Sequence, residues 1–142
     1  MIDKIIKEGA IVPVQITCGL IKNAMHAHGW ATRKFLVDGF PRNEDNYSGW
    51  NEVMGDAIEL AGVLHFDCDE DTLIARVLQR SQSSGRTDDN IDTLRRRLAQ
   101  YREQQLPIVQ RFEQQGKVIP INGLQSVDAV FEEIKKGIAN YL

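Results

Sequence analysis

The sequence predicts an α/β fold: a three-layer arrangement in which helices flank a mostly parallel sheet. Two observations carry this. Short β-branched or aromatic runs end in polar turns, and helical stripes of apolar residues alternate with them. The strand candidates are Lys34-Phe-Leu-Val-Asp38, Gly62-Val-Leu-His-Phe-Asp67 and Lys117-Val-Ile-Pro-Ile-Asn122. The first two are nearly continuous in apolar character, as strands buried on both faces of a parallel sheet are. Pro120 cannot donate to a ladder, so the third is expected at an edge.

Helices are expected between them. Leu20, Ile21, Ala24 and Met25 form one stripe. Leu73, Ile74, Val77 and Leu78 form a second behind the starter Asp69-Glu-Asp-Thr72. Ile91, Leu94, Leu98 and Tyr101 form a third; Pro107 opens a fourth helix, which Gly116 closes. The last holds Val127, Val130, Phe131, Ile134 and Ile138, with Ser126 as its N-cap. All 142 residues are read as one domain.

Composition narrows the function. Seventeen basic against twenty acidic side chains give a net charge of -3, which speaks against nucleic acid as the main partner. No apolar run reaches membrane-spanning length, and Met1-Ile-Asp-Lys does not read as a signal peptide, so no membrane partner is expected. Cys18 and Cys68 are read as free thiols, which points to the reducing cytoplasm, or to the nucleus. His26 and His28 are two apart, so a helix would not bring both imidazoles to one metal.

Ligands of such folds bind beyond the carboxyl ends of the strands. There the chain has Asp38-Gly39-Phe40-Pro41-Arg42, with Asn46 four residues on. Gly39 permits a close backbone approach, Pro41 stiffens the turn, and Arg42 can grip an oxyanion bidentately. On its own the motif fits an ordinary strand exit equally well. The second feature is Arg80-Ser-Gln-Ser-Ser-Gly85-Arg86-Thr-Asp88-Asp89-Asn90, with Arg76 one turn before it and Arg97 after it. Its Ser/Gly stretch can hinge, although an isolated charge run mostly faces solvent.

In this order the two features are similar to the adenylate kinase superfamily of P-loop nucleoside monophosphate kinases. Asp38-Gly-Phe-Pro-Arg-Asn-Glu-Asp-Asn46, Ser84-Gly-Arg-Thr-Asp-Asp-Asn90 and Gly9-Ala-Ile-Val-Pro13 resemble its UMP-CMP kinase branch. The resemblance runs from about Ile2 to Leu142 and implies transfer of the ATP γ-phosphoryl group to UMP or CMP, with Mg²⁺ accompanying ATP. It further implies an acceptor-binding part at about residues 1–28 and a short lid at about 80–90. Arg42 would hold the acceptor phosphate, framed by Gly39, Phe40 and Pro41. Asn46 would read the base, and Ala10, Ile11 and Val12 would line its pocket. Arg80, Arg86 and Arg97 would close on the transferring group. Arg76 would stack on the ATP adenine, to which the turn at Gln125 would offer a carbonyl. Asp88 and Asp89 would pair with the lid arginines, and Asp38 would orient water around Mg²⁺. A carboxamide flipped either way complements uracil or cytosine, which is the basis for expecting a pyrimidine acceptor.

One departure stands out. The family opens with a strand and a Gly-x-Pro-Gly-x-Gly-Lys phosphate loop, and no Gly-x-x-x-x-Gly-Lys occurs in these 142 residues. In the family that strand lies between the ones that begin here at Lys34 and Gly62. The sequence is therefore expected to be a piece of a complete, monomeric enzyme, weakly active or inactive and prone to self-associate through the opened sheet. The alternative is a non-catalytic nucleotide-binding or interaction module that keeps the monophosphate site; an ADP-release assay separates the two.

Overall fold

The computed structural model describes residues 13–141, so Ala10, Ile11 and Val12 lie outside the described residues, as does most of the Gly9-Ala-Ile-Val-Pro13 motif. Helix α1 (Val14–Ala27) starts after Pro13, whose carbonyl accepts from the N–H groups of Ile16 and Thr17, both at 3.2 Å. Helix α2 (Glu44–Met54) is capped by Asn43, whose side chain accepts from the Asn46 N–H at 2.8 Å. The two helices cross tightly at Gly49, where an added Cβ would stand 2.4 Å from Val14 Cγ2.

Strand β1 (Val63–Asp67) pairs in parallel with β2 (Val118–Asn122), Val63 opposite Val118 and Asp67 opposite Asn122. Between them run α3 (Glu70–Ser81), α4 (Ile91–Gln100), a single π-helical turn (Tyr101–Gln105) and α5 (Leu106–Gln114). The Asp69 carboxylate caps α3 by accepting from the Thr72 N–H at 2.7 Å, and Asn90 caps α4 in the same way at 2.9 Å. Beyond α5, the Gly116 N–H donates to the Glu113 carbonyl at 2.9 Å and that of Lys117 to Phe112 at 3.0 Å, a Schellman closure. Helix α6 (Val127–Ile138) follows β2 behind the Ser126 cap.

Side chains alternate across the parallel pair. His65, opposite Pro120, donates to or accepts from the Tyr101 hydroxyl at 2.7 Å on the side of the π turn. Ile119 lies on the other face, against Gly137 of α6. Helices thus flank a parallel sheet, the predicted α/β class. Helix α2 is bolted to α5: Arg111 donates to Glu44 at 2.9 Å and stacks 4.6 Å above the Tyr47 ring, which meets Phe112 edge-on. Among the described residues no helix is long and apolar enough to cross a membrane.

Three sequence expectations fail. The strand predicted at 34–38 does not form, and the described sheet has two strands. A strand needs a neighbour's backbone groups; β1 and β2 engage each other, and none of the described strands pairs with 34–38. Leu36 is accordingly 82% exposed. Nor is β1 buried on both faces, since Phe66 is 50% exposed. The apolar stripe of α1 is also divided: Met25 is buried with Cys18, while Leu20 is exposed.

Candidate phosphate and nucleotide site

Gly39 adopts φ 68°, a conformation that costs glycine little, and its carbonyl accepts from Arg42 Nε at 2.6 Å. A Cβ at Gly39 would stand 2.8 Å from Arg42 Nη2, so any other residue there would both strain the backbone and push the guanidinium aside. The Phe40–Pro41 peptide is cis, and the Phe40 ring packs on Trp50 of α2 at 5.4 Å. The first turn of α2 then returns to the same loop: Asn46 Oδ1 accepts from the Arg42 N–H at 3.2 Å. Asn46 is 3% exposed, yet it lines the cleft described next.

That cleft, of about 900 Å³, runs between α1 and residues 33–40. Asp38, Gly39, Phe40, Arg42, Asn46, Arg86, Asp88 and Arg97 all reach it. Two features predicted from distant parts of the sequence therefore meet in one place. Leu20, Leu36 and Val37 give the cleft an apolar wall. Arg42 stays water-accessible, but burial of its guanidinium and then the charge of Arg97 push its pKa below the usual arginine value, against an opposing pull from Asp38. Cations gathered without a full set of counter-ions suit an anionic ligand.

The segment between α3 and α4 is held by ion pairs. Arg80 grips Asp89 through both oxygens, at 2.6 and 2.9 Å, and Ser84 Oγ donates to the same carboxylate at 2.7 Å. Arg86 grips Asp88 at 3.0 and 3.1 Å, and Arg97 reaches Asp88 at 2.8 Å. Hydrogen bonding from Arg86 holds the Asp88 carboxyl down at about 2, against its burial and with help from the charge of Arg97. Asp89 is lowered too, first by its hydrogen bond from Arg80 and next by that from Ser84.

Arg76 and the turn near Gln125 also meet. Arg76 Nη1 donates to the Gly123 carbonyl at 2.7 Å and lies 3.8 Å from Cys68 Sγ. Gln125 Nε2 donates to Glu133 at 2.7 Å. Neither Arg76, Arg80 nor Gln125 lines the 900 Å³ cleft, so the predicted adenine platform and acceptor site are separate places. His26 stacks on Trp30 at 4.4 Å while His28 Nδ1 pairs with the Ala24 carbonyl at 2.7 Å, so the two imidazoles face different partners.

The sequence reading missed Ser84 as a partner of Asp89, for which composition gives no signal. It also missed Asn43 as the cap of α2. There the acidic pair Glu44-Asp45 behind an asparagine was a usable signal.

The adenylate kinase family model matches residues 1–117. The UMP-CMP kinase of Gallus gallus is 47% identical over 137 residues, covering 94% of this chain and 70% of that protein. The UMP-CMP kinase of Danio rerio is 48% identical over 138 residues, covering 95% and 70%. That of Homo sapiens is 46% identical over 137 residues, covering 94% and 70%. A family match that takes in most of the chain, together with these identities, decides the point: the chain belongs to the adenylate kinase family.

Proposed function

We propose that this site serves phosphoryl transfer from ATP to a pyrimidine nucleoside monophosphate, UMP or CMP. The observation that carries it is the meeting of Arg42, Arg86, Arg97 and Asn46 in one cleft. Arg42, framed by Gly39, Phe40 and Pro41, binds the acceptor phosphate, and Asn46 meets its base. Arg80, Arg86 and Arg97 neutralise charge on the transferring group, which needs positioning rather than a protein nucleophile. Residues 80–90 form a short lid that excludes water, with Asp88 and Asp89 holding its arginines between turnovers. Arg76 and the turn at Gln125 take the adenine. The acceptor part includes residues 1–28 within a single 142-residue domain.

Of the two carboxylates that line the cleft, Asp88 is taken by Arg86 and Arg97, which leaves Asp38, and no cluster of three or more metal-ligating side chains occurs among the described residues. That fits Mg²⁺ arriving with the triphosphate and touched through water, not an ion caged by protein. Bound there, Mg²⁺ would offset phosphate charge.

Because the 142 residues hold no glycine-rich phosphate loop, turnover by this chain alone is weak or absent. Binding calorimetry with UMP, CMP and AMP, beside an ADP-release assay, tests the reading. UMP and CMP should bind comparably and AMP less well. Equal binding of AMP would leave the family and remove the pyrimidine assignment. Failure of all three to bind would remove the acceptor site itself. Strong nucleotide binding with no ADP release would favour the non-catalytic module.

An enzyme of this kind acts as a monomer in the cytoplasm or nucleus, with no nucleic-acid or membrane partner. This chain, by contrast, self-associates, because Leu36, Phe66, Val127 and Phe131 leave large apolar groups in water. Sedimentation at micromolar concentration should show species above 16.1 kDa, and a concentration-independent monomer would contradict this.

A further inference from the structure

Asn46 has two ends, and the structure commits one of them. Its Oδ1 accepts from the Arg42 N–H at 3.2 Å, while its own N–H is held by Asn43 at 2.8 Å. A backbone N–H can only donate, so the oxygen must face Arg42. The free flip on which the pyrimidine expectation rested is therefore lost. No buried side-chain nitrogen or oxygen among the described residues lacks a partner, and among those residues none holds Nδ2. Asn46 lines the cleft, so a base bound there can meet Nδ2.

We infer that Asn46 is a positioning residue for the phosphate grip as well as a donor to the base. This rests on the proposed acceptor site. Oδ1 pins the backbone of Arg42, and Arg42 Nε is pinned in turn by the Gly39 carbonyl at 2.6 Å. Nδ2 remains free to donate to a base acceptor: O4 of uracil or N3 of cytosine takes it in the same orientation. One carboxamide thus ties the two ends of the acceptor nucleotide, so the arginine is set where a bound pyrimidine places its phosphate.

Ribose 5-phosphate, which carries the phosphate without a base, separates the roles. In Asn46→Ala, affinity for both UMP and ribose 5-phosphate should fall, the latter by roughly three- to tenfold, the scale of one lost hydrogen bond. A residue that read only the base would leave ribose 5-phosphate unchanged. Amide hydrogen exchange supplies a readout that needs no ligand. The Arg42 amide should exchange slowly in the parent and in Asn46→Asp, which keeps the acceptor oxygen, and fast in Asn46→Ala. The Thr72 amide, capped by Asp69, should not change in any of them, which controls for general loosening. If Asn46→Ala leaves both ribose 5-phosphate affinity and Arg42 exchange unchanged, the inference is overturned while UMP binding by the parent still supports the site. If the parent binds neither UMP nor CMP, the proposed function fails, and the inference with it.

Discussion

Arg42→Ala should weaken UMP binding by about 2 kcal/mol, roughly thirtyfold, the scale of a lost hydrogen bond between charged groups. The value is not larger because Arg42 keeps contact with water, which screens its charge. Arg96→Ala is the control. Its guanidinium donates to Thr93 Oγ1 on its own helix at 3.1 Å, and it does not line the cleft. Its loss should change UMP affinity by less than about twofold, as surface substitutions do. Calorimetry on the two variants decides it, and equal effects would mean that the phosphate binds elsewhere. The fold should survive Arg42→Ala, because the bonds given up are one to the Gly39 carbonyl in an exposed loop and none to the core.

What the sequence revealed was mostly local. The Asp69 and Ser126 caps, Pro107 at the start of α5 and the Gly116 closure are read from a few neighbouring residues, and the structure has each of them. Strands β1 and β2 also formed where their apolar runs lie. Residues 34–38 look the same in sequence but do not form a strand, because strand formation depends on a neighbouring strand that no local pattern can report. Helix α2 escaped notice because Asn46, Tyr47, Ser48 and Gly49 give no apolar stripe; it is held instead by Arg111 and Phe112, more than sixty residues away. The cleft arginines could be singled out by type, but their meeting is a tertiary fact. The bond from the Arg42 N–H to Asn46 was invisible for a subtler reason. It reaches back one residue beyond the usual capping box, so the pattern of residue types does not advertise it.

Asp88→Asn should both loosen the fold and strengthen anion binding. The Asp88 carboxylate is 5% exposed and joins two elements, Arg86 from the loop and Arg97 from α4, so neutralising it removes the tie between them. Because the partner Arg86 is half exposed, the loss is modest, about 3 °C in melting midpoint near neutral pH. The same change frees Arg86 and Arg97 for a ligand, so tripolyphosphate should bind several-fold tighter, on the order of fivefold. The effect on pH dependence follows from the carboxyl, which is held at about 2 in the folded chain against about 4 when unfolded. A depressed acid pKa stabilises the fold fully above about pH 4, and that share is lost as pH falls toward 2. The parent should therefore lose stability more steeply than Asp88→Asn across this window, with Asp89 contributing a slope common to both. Melting curves collected between these limits test it directly. Parallel pH profiles for the two proteins, or tripolyphosphate affinity that does not rise, would show that Asp88 is not the counter-ion that holds Arg86 and Arg97 in reserve.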